Sequence, residues 1–166
     1  MPDQTMKRWD KHFIDMVLLC ASMSKDPRTQ VGAVIVGPDL EVRSTGFNGF
    51  PHGVVDWPER LQDKPTKLGL IVHAEVNAIL NAARVGIPLK GCTLYLACTD
   101  DTGAVWGGPP CARCSLDVIQ AGITRVVSLP FKPNFHTCQA ALPEDPQNTA
   151  HFVSLGKIVV LNIGIL

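Results

Sequence analysis

Short apolar runs alternate with amphipathic helical patterns along this chain. The runs QVGAVIV, TLYLAC and RVVSL predict buried strands, and VRSTGFN pairs with the first of them across a Gly-Pro-Asp turn. Apolar spacing predicts helices over Lys7–Ser24, from Val76 to about Gly86, and over Cys111–Ala121. Near the end of the sequence it predicts a short helix, Ala150–Leu155, and a strand, Lys157–Ile163. This alternation predicts a three-layer α-β-α arrangement of the α/β class, with helices on both faces of a mixed five-stranded sheet.

Two segments between these elements predict loops. Residues 49–69 contain three prolines and several charges, and a loop of that length is typical of a functional segment rather than a simple connection. The second segment, Thr99–Pro110, contains glycine and proline and leads directly into Cys111. We therefore expect both segments to lie outside the helices and strands.

The length and charge balance of the chain limit the classes of protein to which it can belong. Its 166 residues, 46% of them hydrophobic and 18% charged, fit one domain spanning residues 1–166. Fifteen basic residues balance fifteen acidic ones, which argues against a nucleic acid or an anionic membrane as partner. The chain shows no apolar run typical of a signal peptide or a membrane span. We therefore expect a cytoplasmic protein whose six cysteines bind metal or are buried thiols.

Two titratable residues, His73 and Glu75, stand at the start of the second predicted helix. Either residue alone is consistent with an ordinary helix start, where a carboxylate interacts favourably with the helix dipole. The apolar stripe that should face the core has the spacing i, i+3, i+4, i+7 and consists of Val76, Ile79, Leu80 and Ala83. His73 and Glu75 flank this stripe, so both can reach a pocket at the helix entrance.

The stretch GGPPCARC brings Cys111 and Cys114, three residues apart, to the start of another predicted helix. This spacing points both sulfurs the same way, and a helix N-terminus favours the thiolate that binds metal. Two thiolates and one imidazole, with His73 as the obvious third ligand, suit Zn²⁺ and leave one tetrahedral position open, as in catalytic zinc sites. Glu75 can then lie beside the metal without coordinating it, and its carboxylate can transfer protons.

A structural zinc site is an open alternative for the same cysteines. Such a site needs four protein ligands, and Cys92 and Cys98 are available to complete it. Both of these residues lie on a strand pattern, where small buried thiols are common.

The combination of two motifs is more specific than either motif alone. His-x-Glu and Pro-Cys-x-x-Cys, separated by 35 residues from Glu75 to Pro110, together form the signature of zinc deaminases. In HAEVNAIL, PCARC, KDPRTQVGAVIV, GFNGFPHGV and KGCTLY, the chain resembles the cytidine and deoxycytidylate deaminase family, and within it the deoxycytidylate branch. The resemblance covers roughly residues 7–130 and implies the cytidine-deaminase-like fold.

The resemblance assigns catalytic and metal-binding roles. His73, Cys111 and Cys114 would hold one Zn²⁺, and Glu75 would be the proton shuttle during attack at C4 of a cytosine ring. In a related branch, the riboflavin-pathway deaminases, a loop that ends in Pro-Pro-Cys separates the two ligand cysteines. The loop in this chain also ends in Pro-Pro-Cys, at Pro109-Pro110-Cys111. Cys98, thirteen residues before Cys111, is therefore a competing ligand. We expect Cys111 with Cys114, because one helix turn positions both sulfurs.

The resemblance also implies contacts with substrate and effectors. The backbone around Ala74 would meet the base edge, Asn48 would contact the sugar, and Arg28 lies where some family members place a phosphate-binding arginine. Family members are commonly hexameric and are switched on by dCTP, with Mg²⁺ as a companion ion, and off by dTTP. The effector site implied by the GFNG segment involves Gly46, Phe47 and Gly49.

The implied activity is hydrolysis of a cyclic amidine C–N bond, converting dCMP to dUMP and ammonia in pyrimidine deoxynucleotide metabolism. One departure from the family is the insertion CTDDTGAVWGG before Pro-Cys-x-x-Cys, which places Asp100, Asp101 and Trp106 near the metal. This insertion can gate the pocket or change which nucleotide enters. Alternatives are deamination of adenosine in tRNA, of a free purine or of a riboflavin-pathway intermediate, and a non-catalytic zinc module.

Overall fold

The structure is a computed structural model that describes residues 4–129 and 159–162, with side chains from residue 8 to residue 129. The helices are α1 (Gln4–Ala21), α2 (Pro58–Gln62), α3 (Lys64–Leu70), α4 (Ala74–Val85) and α5 (Ala112–Gln120). The strands are β1 (Thr29–Val36), β2 (Val42–Phe47), β3 (Thr93–Asp100), β4 (Val105–Trp106), β5 (Arg125–Ser128) and β6 (Val159–Asn162). The predicted last strand is confirmed as β6, whereas the predicted helix Ala150–Leu155 lies outside the described residues.

The strands form one mixed sheet in the order β2-β1-β3-β5-β6. β1 runs antiparallel to β2 and β3, and β5 runs parallel to β3 and β6. These five strands confirm the predicted mixed sheet, to which the two-residue β4 adds a sixth strand beside β3. The segment Thr99–Pro110 is not wholly a loop, because β3 extends to Asp100 and β4 folds back antiparallel onto its end.

Two apolar clusters lie on opposite faces of this sheet. On one face α1 packs against β1, β3 and β5, in a cluster that contains Phe13, Ile14, Val17, Val34, Tyr95 and Val127. On the other face α4 and α5 pack against the same strands, in a cluster that contains Ala74, Ala78, Ile35, Leu94, Val118 and Val126. Alternate strand residues serve the two faces, which confirms the predicted three-layer α-β-α arrangement. Within the described part of the chain, no helix has the length and apolar character needed to cross a membrane.

The prediction of a long loop over residues 49–69 is wrong in part, since two short helices occupy its second half. Pro58 begins α2, and Pro65 is the second residue of α3. A first helical turn tolerates proline, because its backbone N–H groups have no partner within the helix. Asp63 caps α3 by accepting a hydrogen bond from the backbone N–H of Thr66 at 3.1 Å. The prolines therefore mark helix starts rather than an irregular segment.

The predicted apolar stripe of α4 is wrong in part, because Ile79 is half-buried against the core whereas Leu80 and Ala83 are exposed. Leu80 is 55% exposed, and the fully buried positions are occupied mainly by small residues, namely Ala74, Ala78 and Ala82, together with Glu75. The cause is the close approach of α4 to β2 at Gly46, where a Cβ atom would lie 2.5 Å from Ala74 O and from Ala78 N. The predicted end of this helix is confirmed, because Gly86 caps it in the left-handed conformation at φ 74°.

A buried polar network joins α1 to two strands of the sheet. The hydroxyl of Tyr95 on β3 donates to Asp10 Oδ1 on α1 at 2.8 Å. Arg125 on β5 donates to both carboxylate oxygens of Asp10 at 3.0 Å and to the Tyr95 hydroxyl at 3.1 Å. Burial and the hydrogen bond to Asp10 raise the pKa of Tyr95 to about 12. The network fixes α1 on the sheet by a specific contact as well as by apolar packing.

Candidate active site

The starts of α4 and α5 bring the two sequence motifs together. His73 is the N-cap of α4 and Cys111 is the N-cap of α5, both with extended backbone. A bridge between Gly49 and Val72, with backbone hydrogen bonds of 3.1 and 2.8 Å, holds the chain immediately before His73. Within the first turn of α5, the backbone N–H of Cys114 donates to Cys111 Sγ at 3.5 Å. Both motifs therefore open helices, as their spacing predicts.

Three side chains form a compact cluster at these helix starts. Nδ1 of His73 lies 3.3 Å from Cys114 Sγ and 3.6 Å from Cys111 Sγ. One ligand atom from each residue falls within 4.8 Å of the others, with Cys114 buried and the other two half-buried. A tetrahedral Zn²⁺ with Zn–S of about 2.3 Å and Zn–N of about 2.0 Å separates its nitrogen and sulfur ligands by about 3.5 Å. The donor set and its spacing therefore fit zinc.

The pKa values of the two thiols in the cluster are shifted in opposite directions. A hydrogen bond from the Cys114 thiol, with help from His73 and the Cys114 backbone N–H, lowers the pKa of Cys111 to about 4. Donation to Cys111 and burial raise the pKa of Cys114 well above its ordinary value. The cluster therefore favours the thiolate on Cys111, and a thiolate is the form of cysteine that binds metal.

Glu75 lies in the first turn of α4, where its side chain is only 7% exposed. Burial raises its pKa above the ordinary value for a glutamate, and the proximity of His73 only partly offsets this effect. A carboxyl whose pKa is shifted towards neutrality can take up and release a proton during a reaction. Glu75 is thus suited to proton transfer beside the cluster.

The alternative cysteine ligands lie apart from this cluster. Among the described residues, the His73, Cys111 and Cys114 atoms are the ones grouped closely enough to hold an ion. Cys98 is buried on β3 and its thiol donates to Trp106 O at 3.4 Å, while Cys92 is buried in the apolar cluster beneath α4 and α5. The geometry therefore favours Cys111 with Cys114 over the pairing with Cys98.

A cavity of about 740 Å³ adjoins the cluster. It is lined by most of the residues that the sequence singles out for catalysis and substrate, namely Arg28, Asn48, His73, Ala74, Glu75 and Cys111. The inserted segment contributes Asp100, Asp101 and Trp106 to the same lining. The positions proposed for an effector, Gly46, Phe47 and Gly49, are not among the lining residues. In the structure they support α4 and the chain before His73.

Asn48 is held firmly by the protein itself. Its Oδ1 accepts the backbone N–H of Val31 at 2.8 Å, and its Nδ2 donates to Thr29 O at 2.9 Å. A longer contact of 3.5 Å joins the same Nδ2 to Asp26 Oδ2. Because a carbonyl oxygen accepts two hydrogen bonds, Asn48 keeps one acceptor position and no well-placed donor for a ligand.

Two residues of this site, Asp26 and Lys67, are missing from the sequence prediction. Lys67 on α3 forms an ion pair of 3.0 Å with Asp26, which lies between α1 and β1. The Asp26 carboxylate also accepts the backbone N–H groups of Arg28 and Thr29. The two partners are 41 residues apart, and the sequence predicts a loop where α3 lies, so no sequence pattern indicates this pair.

Comparisons with known proteins identify the family of this chain. Residues 7–129 match the sequence model of the cytidine and deoxycytidylate deaminase zinc-binding region. Deoxycytidylate deaminase of Homo sapiens is 36% identical over 129 residues, which cover 75% of this chain and 66% of the human protein, just under two thirds. Deoxycytidylate deaminase of Mycobacterium phage D29 is 34% identical over 131 residues, which cover 72% of this chain and 92% of the phage protein.

A solved structure shows the same fold. The dCMP deaminase from the cyanophage S-TIM5, in complex with dCMP and dUMP, superposes with a TM-score of 0.67 at 19% identity, covering 98% of this chain and 100% of that one. The family match extends from α1 to β5 and includes both helix starts that carry the cluster. This chain therefore belongs to the cytidine and deoxycytidylate deaminase family.

Proposed function

We propose that this protein is a zinc-dependent enzyme that hydrolyses dCMP to dUMP and ammonia. The observation that carries the proposal is the cluster of His73, Cys111 and Cys114 beside the buried carboxyl of Glu75, at the wall of one cavity. The relatives named deoxycytidylate deaminase support the choice of dCMP among cytosine compounds.

Each residue of the cluster has a distinct role in this proposal. His73, Cys111 and Cys114 would hold Zn²⁺, which would supply a water nucleophile at neutral pH. Glu75 would accept a proton from the attacking water and pass protons to N3 of the cytosine ring and to the departing amino group. The net change is replacement of the C4 amino group by oxygen, with ammonia released.

The cavity walls supply the substrate contacts. The backbone at Ala74, adjacent to the cluster, meets the edge of the base. Asn48 contacts the sugar, and its remaining acceptor position suits a sugar hydroxyl. Arg28 is exposed on the cavity lining and meets the phosphate.

A substrate panel tests the proposal. Ammonia release by zinc-loaded protein is measured with dCMP, deoxycytidine and an anticodon stem-loop RNA at equal concentrations. We expect dCMP to be the preferred substrate and the RNA to give no product. Absence of ammonia from dCMP, with and without dCTP and Mg²⁺, would refute the proposal, and turnover of the RNA alone would favour a tRNA adenosine deaminase.

We extend the proposal to regulation and assembly. The family resemblance supports a hexamer that dCTP with Mg²⁺ activates and dTTP inhibits, with an effector site around Gly46, Phe47 and Gly49. Light scattering coupled to gel filtration measures the assembly, and initial rates at low dCMP with each nucleotide measure the regulation. A monomer with rates that neither nucleotide changes would refute this extension.

A further inference from the structure

The Lys67 ammonium is a buried cation on the cavity wall. Its side chain is 12% exposed, and that of its partner Asp26 is 4% exposed. Among the residues whose side chains the structure describes, the ammonium bonds only to Asp26, at 3.0 Å to Oδ2 and 3.2 Å to Oδ1. An ammonium has three hydrogens, so at least one is available to the cavity that Lys67 lines.

Lys67 and Asn48 meet at one oxygen atom. Asp26 Oδ2 contacts Lys67 Nζ at 3.0 Å and Asn48 Nδ2 at 3.5 Å, and both residues line the cavity. Asn48 offers the cavity an acceptor, whereas Lys67 offers it a donor. A hydroxyl group both donates and accepts, so a single hydroxyl can satisfy both residues at once.

We propose that Lys67 binds the 3′-hydroxyl of the substrate sugar as a hydrogen-bond donor, with Asn48 as the acceptor of the same hydroxyl. This inference rests on the proposed function, because dCMP carries a single free sugar hydroxyl, the one at C3′. Asp26 holds the two protein groups in place.

The charge of Lys67 is already balanced by Asp26, which makes this lysine a weaker phosphate ligand than a cation without an ion-pair partner. Arg28 and Lys64 are the exposed cations on the cavity lining, and each is available to a phosphate. Recognition of the sugar hydroxyl, by Lys67, and recognition of the phosphate, by Arg28 or Lys64, therefore depend on different residues. Replacing Lys67 should change the first and leave the second intact.

The test compares dCMP with its 2′,3′-dideoxy analogue, which lacks only the 3′-hydroxyl. Hydrogen bonds to a charged donor predict that the zinc-loaded wild type prefers dCMP by about 10- to 100-fold in kcat/KM. In Lys67→Met this preference should fall by about tenfold, mainly through KM. The preference for dCMP over deoxycytidine, which reports the phosphate, should stay within about threefold of wild type. Lys11→Met, which breaks the exposed ion pair of Lys11 with Asp15 away from the cavity lining, is the matched control and should keep the hydroxyl preference.

Removing one partner of a buried ion pair can unfold a protein, because the other charge is left unpaired. The double variant Asp26→Asn with Lys67→Met removes both charges and gives the same readout if the single variant does not fold. An equal loss of kcat/KM on dCMP and its dideoxy analogue, with the preference unchanged, would show that Lys67 is only structural. Wild-type protein that turns over both compounds equally refutes the sugar site alone, whereas no turnover of dCMP refutes the proposed function as well.

Discussion

Replacing Glu75 by glutamine separates proton transfer from packing. Glutamine has nearly the shape of glutamate, so the buried first turn of α4 keeps its contacts. It cannot, however, take up and release a proton at neutral pH. Transfer by a positioned general acid or base contributes about 10²- to 10⁴-fold to a rate. We therefore expect kcat/KM for dCMP to fall by that factor, which corresponds to about 3 to 5 kcal/mol of transition-state stabilisation.

The same substitution should stabilise the metal-free protein. Burial raises the pKa of Glu75 from its ordinary value of 4.5, so the folded state disfavours the ionised form. The contribution of this residue to the free energy of unfolding is therefore greatest below pH 4.5 and declines as the pH rises through the folded-state pKa. Glutamine has no such penalty. The melting temperature of metal-free Glu75→Gln should exceed that of the wild type at pH 7, and the difference should shrink towards pH 4.

The assay measures initial rates of ammonia release and zinc content in the same samples. Glu59→Gln is the matched control, because Glu59 also lies in the first turn of a helix but is exposed. It should leave rate, zinc content and melting temperature unchanged. If Glu75→Gln keeps more than about a tenth of the wild-type kcat/KM with full zinc, Glu75 is not the proton shuttle.

Three further predictions concern packing, metal binding and a buried phenol. Gly46→Ala should lower the free energy of unfolding by about 1 to 3 kcal/mol and reduce kcat, because its Cβ atom would press on α4. Gly69→Ala, whose Cβ atom would have nothing within 4 Å, should change neither quantity. Denaturant melts and rate assays measure the two effects. Cys114→Ser should lose zinc, since a hydroxyl is a poor zinc ligand, whereas Cys98→Ser should keep it; the reverse outcome in metal analysis would support the Cys98 pairing. Because the folded-state pKa of Tyr95 is about 12, its stabilising contribution is present below pH 10 and is lost as the pH rises through 12. The free energy of unfolding of the wild type should therefore fall more steeply than that of Tyr95→Phe over this range, and parallel curves would contradict the hydrogen bond to Asp10.

The sheet, its helices and the starts of α4 and α5 are predictable from sequence because each depends on local pattern. Periodic apolar residues give the elements, and the motifs around His73 and Cys111 lie at helix starts, where their ligand spacing is set by one helical turn. The meeting of these two distant motifs is not local. It was inferred from their joint resemblance to a family, and the structure brings the three side chains within 4.8 Å.

The errors have physical causes of two kinds. Pro58 and Pro65 indicate a loop by composition, yet the first turn of a helix accepts proline, so the wall of the cavity was missed. Leu80 belongs to the predicted stripe of large apolar residues on α4. The close approach of α4 to Gly46 instead buries the face of the helix that carries alanines. The first error concerns a local rule, whereas in the second a tertiary contact decides which face of the helix is buried. The ion pair of Lys67 with Asp26 depends on the first error, since it extends from α3.

The most direct test of the proposed function is the dependence of dCMP deamination on zinc content. Metal-free protein is titrated with Zn²⁺, and the rates of ammonia and dUMP formation are measured at each step. We expect equal amounts of the two products and a rate that rises linearly to a plateau at about one Zn²⁺ per chain, as one His/Cys/Cys site requires. Full activity without metal, or a fully loaded protein that forms no dUMP from dCMP, would contradict it.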